Sequence, residues 1–176
     1  TLVRLARLTS KTADGPLYLA LGIFLVAGNQ PHQMALFYCL LLGFAIERPL
    51  YLVLKNLFRR NRPEAALNIP SFVIPSDRFS FPSGHTSAAF LVANLVSAFH
   101  PDLTPFLLAW ATLVGMARVV LGVHFPTDTL IGALIMSVLR NGLNLLGVSS
   151  YLQQVAIGVV IIAAVLIDMA LRRRVQ

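Results

Sequence analysis

Apolar residues in this chain gather into long runs near 16–29, 34–58, 84–99, 103–122, 126–147 and 150–171. At about 1.5 Å rise per residue, a helix that crosses a bilayer needs about 20 residues. The second, fourth, fifth and sixth runs reach that length. The third reaches it by starting in the loop before it, and the first, bounded by Gly15 and Gly28-Asn29, is short. The pattern predicts an all-α polytopic transmembrane bundle of about six spans, forming a single domain over residues 1–176. Residues 1–13 mix Leu and Val with Arg4, Arg7 and Lys11, which suits a short helix lying at the membrane interface. Pro49, beside Glu47 and Arg48 inside the second span, is expected to bend that helix.

The connections are unequal. Gln30–Gln33, His100–Asp102 and Gly147–Ser149 are short turns, whereas Arg59–Pro82 is long and holds Pro63, Pro70, Pro75 and Pro82 along with several charges. A loop much longer than its neighbours in a compact bundle is usually functional. If the spans alternate in direction, both termini, the long loop and the turn Gly122–Phe125 share one side. Arg4, Arg7, Lys11, Arg172, Arg173 and Arg174 then lie on that side, which the positive-inside rule assigns to the cytoplasm.

Composition narrows the class. The chain is 57% hydrophobic and only 12% charged, against roughly 25% charged in a soluble domain. That balance argues against a water-soluble globule, a disordered chain and a coiled coil. The net charge is +7, from 14 Lys+Arg against 7 Asp+Glu. These cations sit at the ends of apolar runs and in the long loop, where they meet anionic lipid or a phosphorylated substrate. Aromatic platforms interleaved with basic residues are missing, so no nucleic-acid partner is expected. Cys39 stands alone inside an apolar run, which leaves neither a disulfide framework nor a cysteine metal site. No cleavable signal peptide is expected.

Three polar clusters fall on one predicted side. The first runs from Lys55 to Arg62-Pro63 at the end of the second span. The second is Pro82-Ser83-Gly84-His85, where the third begins. The third holds Arg118, His124 and Asp128, between the fourth span and the fifth. Together they suit a phosphate. Lys55, Arg62 and Arg118 supply cations, and guanidinium groups grip phosphate oxygens in pairs. Ser83 and Gly84 precede an apolar helix, so their backbone N–H groups are expected to point at an anion favoured by the helix dipole. Of two histidines, one can attack phosphorus while the other protonates the departing oxygen. Asp128 is expected to hold the His124 ring by its other nitrogen.

In this order and spacing, the three clusters resemble the type 2 phosphatidic acid phosphatase (PAP2) superfamily. Its signature is Lys-x6-Arg-Pro, then Pro-Ser-Gly-His, then Ser-Arg-x5-His-x3-Asp. The departure is Ala117, where the family usually has serine. The resemblance implies a metal-independent phosphatase of the membrane lipid phosphatase branch, needing no cofactor. His124 would form a phosphohistidine with Asp128 orienting it, and His85 would act as acid and then base. Lys55, Arg62, Ser83, Gly84 and Arg118 would bind the phosphate. The implied substrate is a lipid phosphomonoester or diphosphate, of the undecaprenyl diphosphate, phosphatidylglycerophosphate or phosphatidate type, in a bacterial inner membrane. Relatives commonly work on the periplasmic face, so here the resemblance opposes the terminal arginines, and we follow the resemblance.

Blander readings stand beside these. Arg59 and Arg60 read as contacts for anionic head groups. Glu47, Tyr51 and Lys55 share one helix face, so Glu47 links toward the phosphate site or forms a structural pair with Arg48 or Arg140. Asp168 and Arg172 read as an interfacial ion pair. The rival function is a catalytically silent protein that binds lipid phosphate. Oligomeric state is left open.

Overall fold

A computed structural model describes residues 1–75 and 77–145, the side chains of 138–145 excepted. The sixth apolar run, the turn Gly147–Ser149, the Asp168–Arg172 pair, the terminal arginines and the Arg140 side chain lie outside the described residues. Seven α-helices are described: α1 (Leu2–Lys11), α2 (Gly15–Gly28), α3 (Pro31–Phe58), α4 (Pro63–Leu67), α5 (Gly84–Phe99), α6 (Thr104–Val120) and α7 (Pro126–Leu145). A 3₁₀ turn, Pro101–Leu103, leads into α6. Five of the six apolar runs therefore coincide with helices. The short helix α4 lies inside the segment read from sequence as loop.

Local chemistry sets the boundaries. Pro16 and Pro31 stand in the first turns of α2 and α3, where a missing N–H costs nothing. Asn29 and Arg59 end those helices in the left-handed region, with φ of 47° and 46°. Gly122, at φ +72°, turns the chain after α6. Pro49 lies within α3 and removes one backbone donor there.

α5 is the central helix, packing against α3, α6 and α7. Its contact with α6 is close because the facing residues are small: Ala89, Ala93, Ala111 and Val114 form one buried cluster with Ala13. Leu25, Leu36, Leu40, Val92 and Val96 form a second, between α2, α3 and α5. α1 lies across the end of α6, where Ala6 meets Ala117, Leu121 and Val123, and it leaves Leu2, Leu5 and Leu8 exposed. Pro31–Phe58 and Pro101–Val120 are long and apolar enough to cross a membrane, while Gly15–Gly28 and Gly84–Phe99 are apolar but shorter. The packing brings the C-terminal ends of α3 and α6 beside the N-terminal ends of α5 and α7.

Candidate active site

At that junction the three sequence clusters converge. Lys55, Arg62, Arg118, Ser83, His124 and Asp128 are all buried, although an isolated charge in an apolar interior is costly. Partners explain how the charges are tolerated. Lys55 Nζ lies 2.6 Å from Asp77 Oδ1, and Arg62 Nη2 lies 2.5 Å from the same oxygen. Arg62 Nη1 donates to the carbonyl of Val123 at 2.6 Å, which ties the long loop to the His124 turn. Tyr51 donates its hydroxyl to the other Asp77 oxygen. Burial would raise the Asp77 pKa, but hydrogen bonds from Lys55 and Tyr51 and the charges of Lys55 and Arg62 hold it below the ordinary carboxylate range. Asp77 is thus an anion seated on two of the cations expected to bind phosphate. Its spacing from the motifs gave no signal.

Arg118 reaches the site from α6. Its Nη1 donates to Ser10 of α1 at 2.8 Å, and its buried Nε has no hydrogen-bond partner among the described residues. Ala117 packs against Ala6, so the hydroxyl beside Arg118 comes from α1 and not from position 117.

His124 is held differently from the sequence expectation. Its Nδ1 lies 2.7 Å from the carbonyl oxygen of Ser80 and 3.8 Å from Asp128 Oδ2. The hydrogen bond therefore goes to Ser80, and Asp128 acts across the longer gap by charge. The Asp128 carboxylate accepts from the Phe125 N–H at 2.8 Å and from Arg60 Nη1 at 2.9 Å. It closes the first turn of α7 as a capping group does. Arg60 is consequently no head-group contact: it is fixed on Asp128 and Thr127 and lies over the Phe125 ring. Arg59 stays exposed, bonding its Nε to Asn56. Burial, together with Arg62 and Arg118, pushes the His124 pKa down to about 4 against the opposing pull of Asp128. With a carbonyl facing Nδ1, that nitrogen carries the proton and Nε2 keeps its lone pair.

Ser83 is fully buried at the start of α5. Its backbone N–H donates to the Asp128 carbonyl at 3.1 Å, so it is not aimed at an anion as expected. Gly84 opens α5, where first-turn N–H groups have no intrahelical acceptor. His85 follows, with Nε2 2.9 Å from Asp14 Oδ1. Glu47 forms a two-point pair with Arg48 and accepts from Ser87 of α5. That satisfies the structural reading of Glu47 and ties α3 to α5.

His85 and Asp14 border two cavities. One, of about 310 Å³, is also lined by Arg7, Lys11 and Arg118. The other, of about 550 Å³, is also lined by Arg48, Tyr51, Tyr18 and Phe44. Tyr18 and Phe44 also line an apolar groove of about 620 Å³ between α2 and α3. Two cavities thus adjoin His85, and one of them shares Tyr18 and Phe44 with the apolar groove.

A family model described as the PAP2 superfamily matches residues 33–144. The chain belongs to the PAP2 superfamily. This PAP2 chain is 38% identical over 104 residues to phosphatidylglycerophosphatase B of Bacillus subtilis, covering 53% of this chain and 49% of that protein. It spans about half the length of that relative. Two solved structures share the fold. One is a transmembrane PAP2 type phosphatidylglycerolphosphate phosphatase from Bacillus subtilis, at TM-score 0.62 and 28% identity, covering 81% of this chain and 76% of that one. The other is Aquifex aeolicus LpxE, at TM-score 0.67 and 26% identity, covering 92% and 86%. With two helices among the described residues long and apolar enough to cross a membrane, the chain is similar to the transmembrane PAP2 structure from Bacillus subtilis. A separate match of 40 residues, 23% of this chain, is 68% identical to the ribose import permease protein RbsC of Escherichia coli and covers 12% of that permease.

Proposed function

We propose that this protein hydrolyses a phosphate ester or diphosphate on a lipid through a phosphohistidine on His124. The observation that carries the reading is the setting of His124: a buried ring whose Nδ1 faces the Ser80 carbonyl oxygen at 2.7 Å, which favours the tautomer with a free lone pair on Nε2, while burial, Arg62 and Arg118 lower its pKa. Arg62 and Arg118 are close enough to act on its charge. In the first step Nε2 attacks phosphorus, an N–P bond forms and the P–O bond to the lipid breaks. The departing oxygen keeps the electron pair and takes a proton from His85. In the second step His85 takes a proton from water as that water attacks phosphorus, which breaks the N–P bond and frees inorganic phosphate. Lys55, Arg62, Arg118 and the Gly84 N–H stabilise the charge that builds on the phosphoryl oxygens, and Ser83 shapes the turn. Asp128 holds the start of α7 and supplies negative charge beside His124.

The apolar groove beside Tyr18 and Phe44 suits a lipid tail, with the bond to be cut near His85. Undecaprenyl diphosphate, phosphatidylglycerophosphate and phosphatidate are the substrate types that fit, in a bacterial inner membrane with the site opening to the periplasm. The stretch shared with the permease is 12% of that protein, too little to bring a translocation path, so transport is not proposed. The test is phosphate release from these three lipid classes with chelator present, beside His124→Ala. The expected result is release by the wild type on at least one lipid and none by the variant. A protein that binds these lipids but releases no phosphate would be the silent alternative, and full activity in His124→Ala would remove the nucleophile assignment.

A further inference from the structure

The segment before residue 33 lies outside the matched PAP2 region, yet it reaches into the site at two points. Ser10 accepts from Arg118, and Asp14 meets His85. Asp14 occupies the position that precedes α2, where an aspartate ordinarily bonds the first-turn N–H groups. It makes no such side-chain bond. Its carboxylate instead reaches His85 Nε2 at 2.9 Å. The turn that carries it is fixed on both flanks. Ala13 is buried among Ala89, Ala93, Ala111 and Val114, and Thr12 accepts from Trp110 of α6 at 2.8 Å.

We infer that Asp14 is a positioning residue for proton transfer by His85, holding the ring through Nε2 so that Nδ1 exchanges the proton with the departing lipid oxygen. This rests on the phosphatase reading above. The surroundings give the carboxylate a purpose. Arg118, Arg7 and Lys11 line one cavity beside His85, and Arg48 lines the other with Tyr18 and Tyr51. A proton on His85 therefore sits among like charges, and Asp14 is the counter-charge on the imidazole itself. An amphipathic helix and its following turn thus complete a site that the matched region leaves open on one side.

The experiment compares kcat/KM for two substrates in one preparation: dodecyl phosphate, whose alkoxide leaves only with a proton, and p-nitrophenyl phosphate, whose phenolate leaves without one. This constant reports the step that expels the alcohol, and the ratio of the two values does not depend on how much protein is folded. Asp14→Asn keeps the shape and removes the charge. The expected result is a loss on the order of 10-fold or more on the alkyl ester with about 3-fold or less on the aryl ester, partly restored in Asp14→Glu. An unchanged ratio, whatever the total activity, overturns the inference and leaves the phosphatase reading standing. Failure of the wild type to cleave either ester, or the three lipids, overturns both.

Discussion

The Nδ1 atom of His124 lies 2.7 Å from the carbonyl oxygen of Ser80. A carbonyl accepts and never donates, so it selects one tautomer and holds it. Since burial and the nearby guanidinium groups bring the His124 pKa to about 4, the ring stays neutral from alkaline pH down to about that value. Nitrogen-15 NMR of labelled histidine is expected to show protonated Nδ1 and bare Nε2 at pH 7. An imidazolium signal there would refute the assignment. The unfolded chain takes up this proton near 6.5, above the folded value. Stability from His124 is therefore complete above pH 6.5 and is lost as pH falls toward 4, which thermal unfolding in detergent reads against His124→Gln.

Asp77 occupies two of the cations as a tethered anion. Replacing it with asparagine removes a competitor for phosphate and leaves Lys55 and Arg62 without their counter-charge. Asp77 is part-exposed, so the effect is modest, about 1 kcal/mol or roughly 5-fold tighter inhibition by orthovanadate. Asp77→Asn is also expected to melt lower without phosphate and to gain more from added phosphate than the wild type. Weaker vanadate inhibition in the variant would show that Asp77 builds the cradle and does not compete for it.

A Cβ on Gly84 would stand 2.8 Å from the Tyr51 ring. Tyr51 must then turn away, and its hydroxyl loses Asp77. Gly84→Ala is expected to lower activity on the order of 10-fold, while Tyr51→Phe, which removes the hydroxyl alone, costs less. Equal losses in the two variants would point to the hydroxyl and away from the steric account.

Gly122 has φ of +72°, and a Cβ there would meet the Pro70 carbonyl at 2.7 Å. The atoms it would meet belong to the Pro70 and Ser71 backbone, which cannot yield cheaply. Gly122→Ala is expected to cost about 2 kcal/mol, read as a lower melting temperature. Gly15→Ala is the control, since nothing lies within 4 Å of its added Cβ. A Gly122→Ala protein as stable as the control would mean the turn relaxes.

The helices were legible because apolar runs and their Pro and Gly boundaries are local signals. Lys55, Arg62, His85, His124 and Asp128 were legible because their spacing is. The partners of these residues were not. Ser80 acts through a carbonyl, which every residue possesses. Asp77 and Asp14 are single carboxylates with no pattern around them, and Asp14 lies 71 positions from His85. Basic neighbours in the sequence point Arg60 toward lipid, but only the folded chain brings Asp128 to it from 68 positions away.

His85 stands between a basic cavity lined by Arg7, Lys11 and Arg118 and a second cavity that shares Tyr18 and Phe44 with the apolar groove. A bond broken there is broken at a watershed. On the proposed phosphatase reading, the lipid alcohol would leave along α2 and α3 and the small anion past the arginines. Neither product would then have to cross the other's route, because each has an opening of its own beside His85.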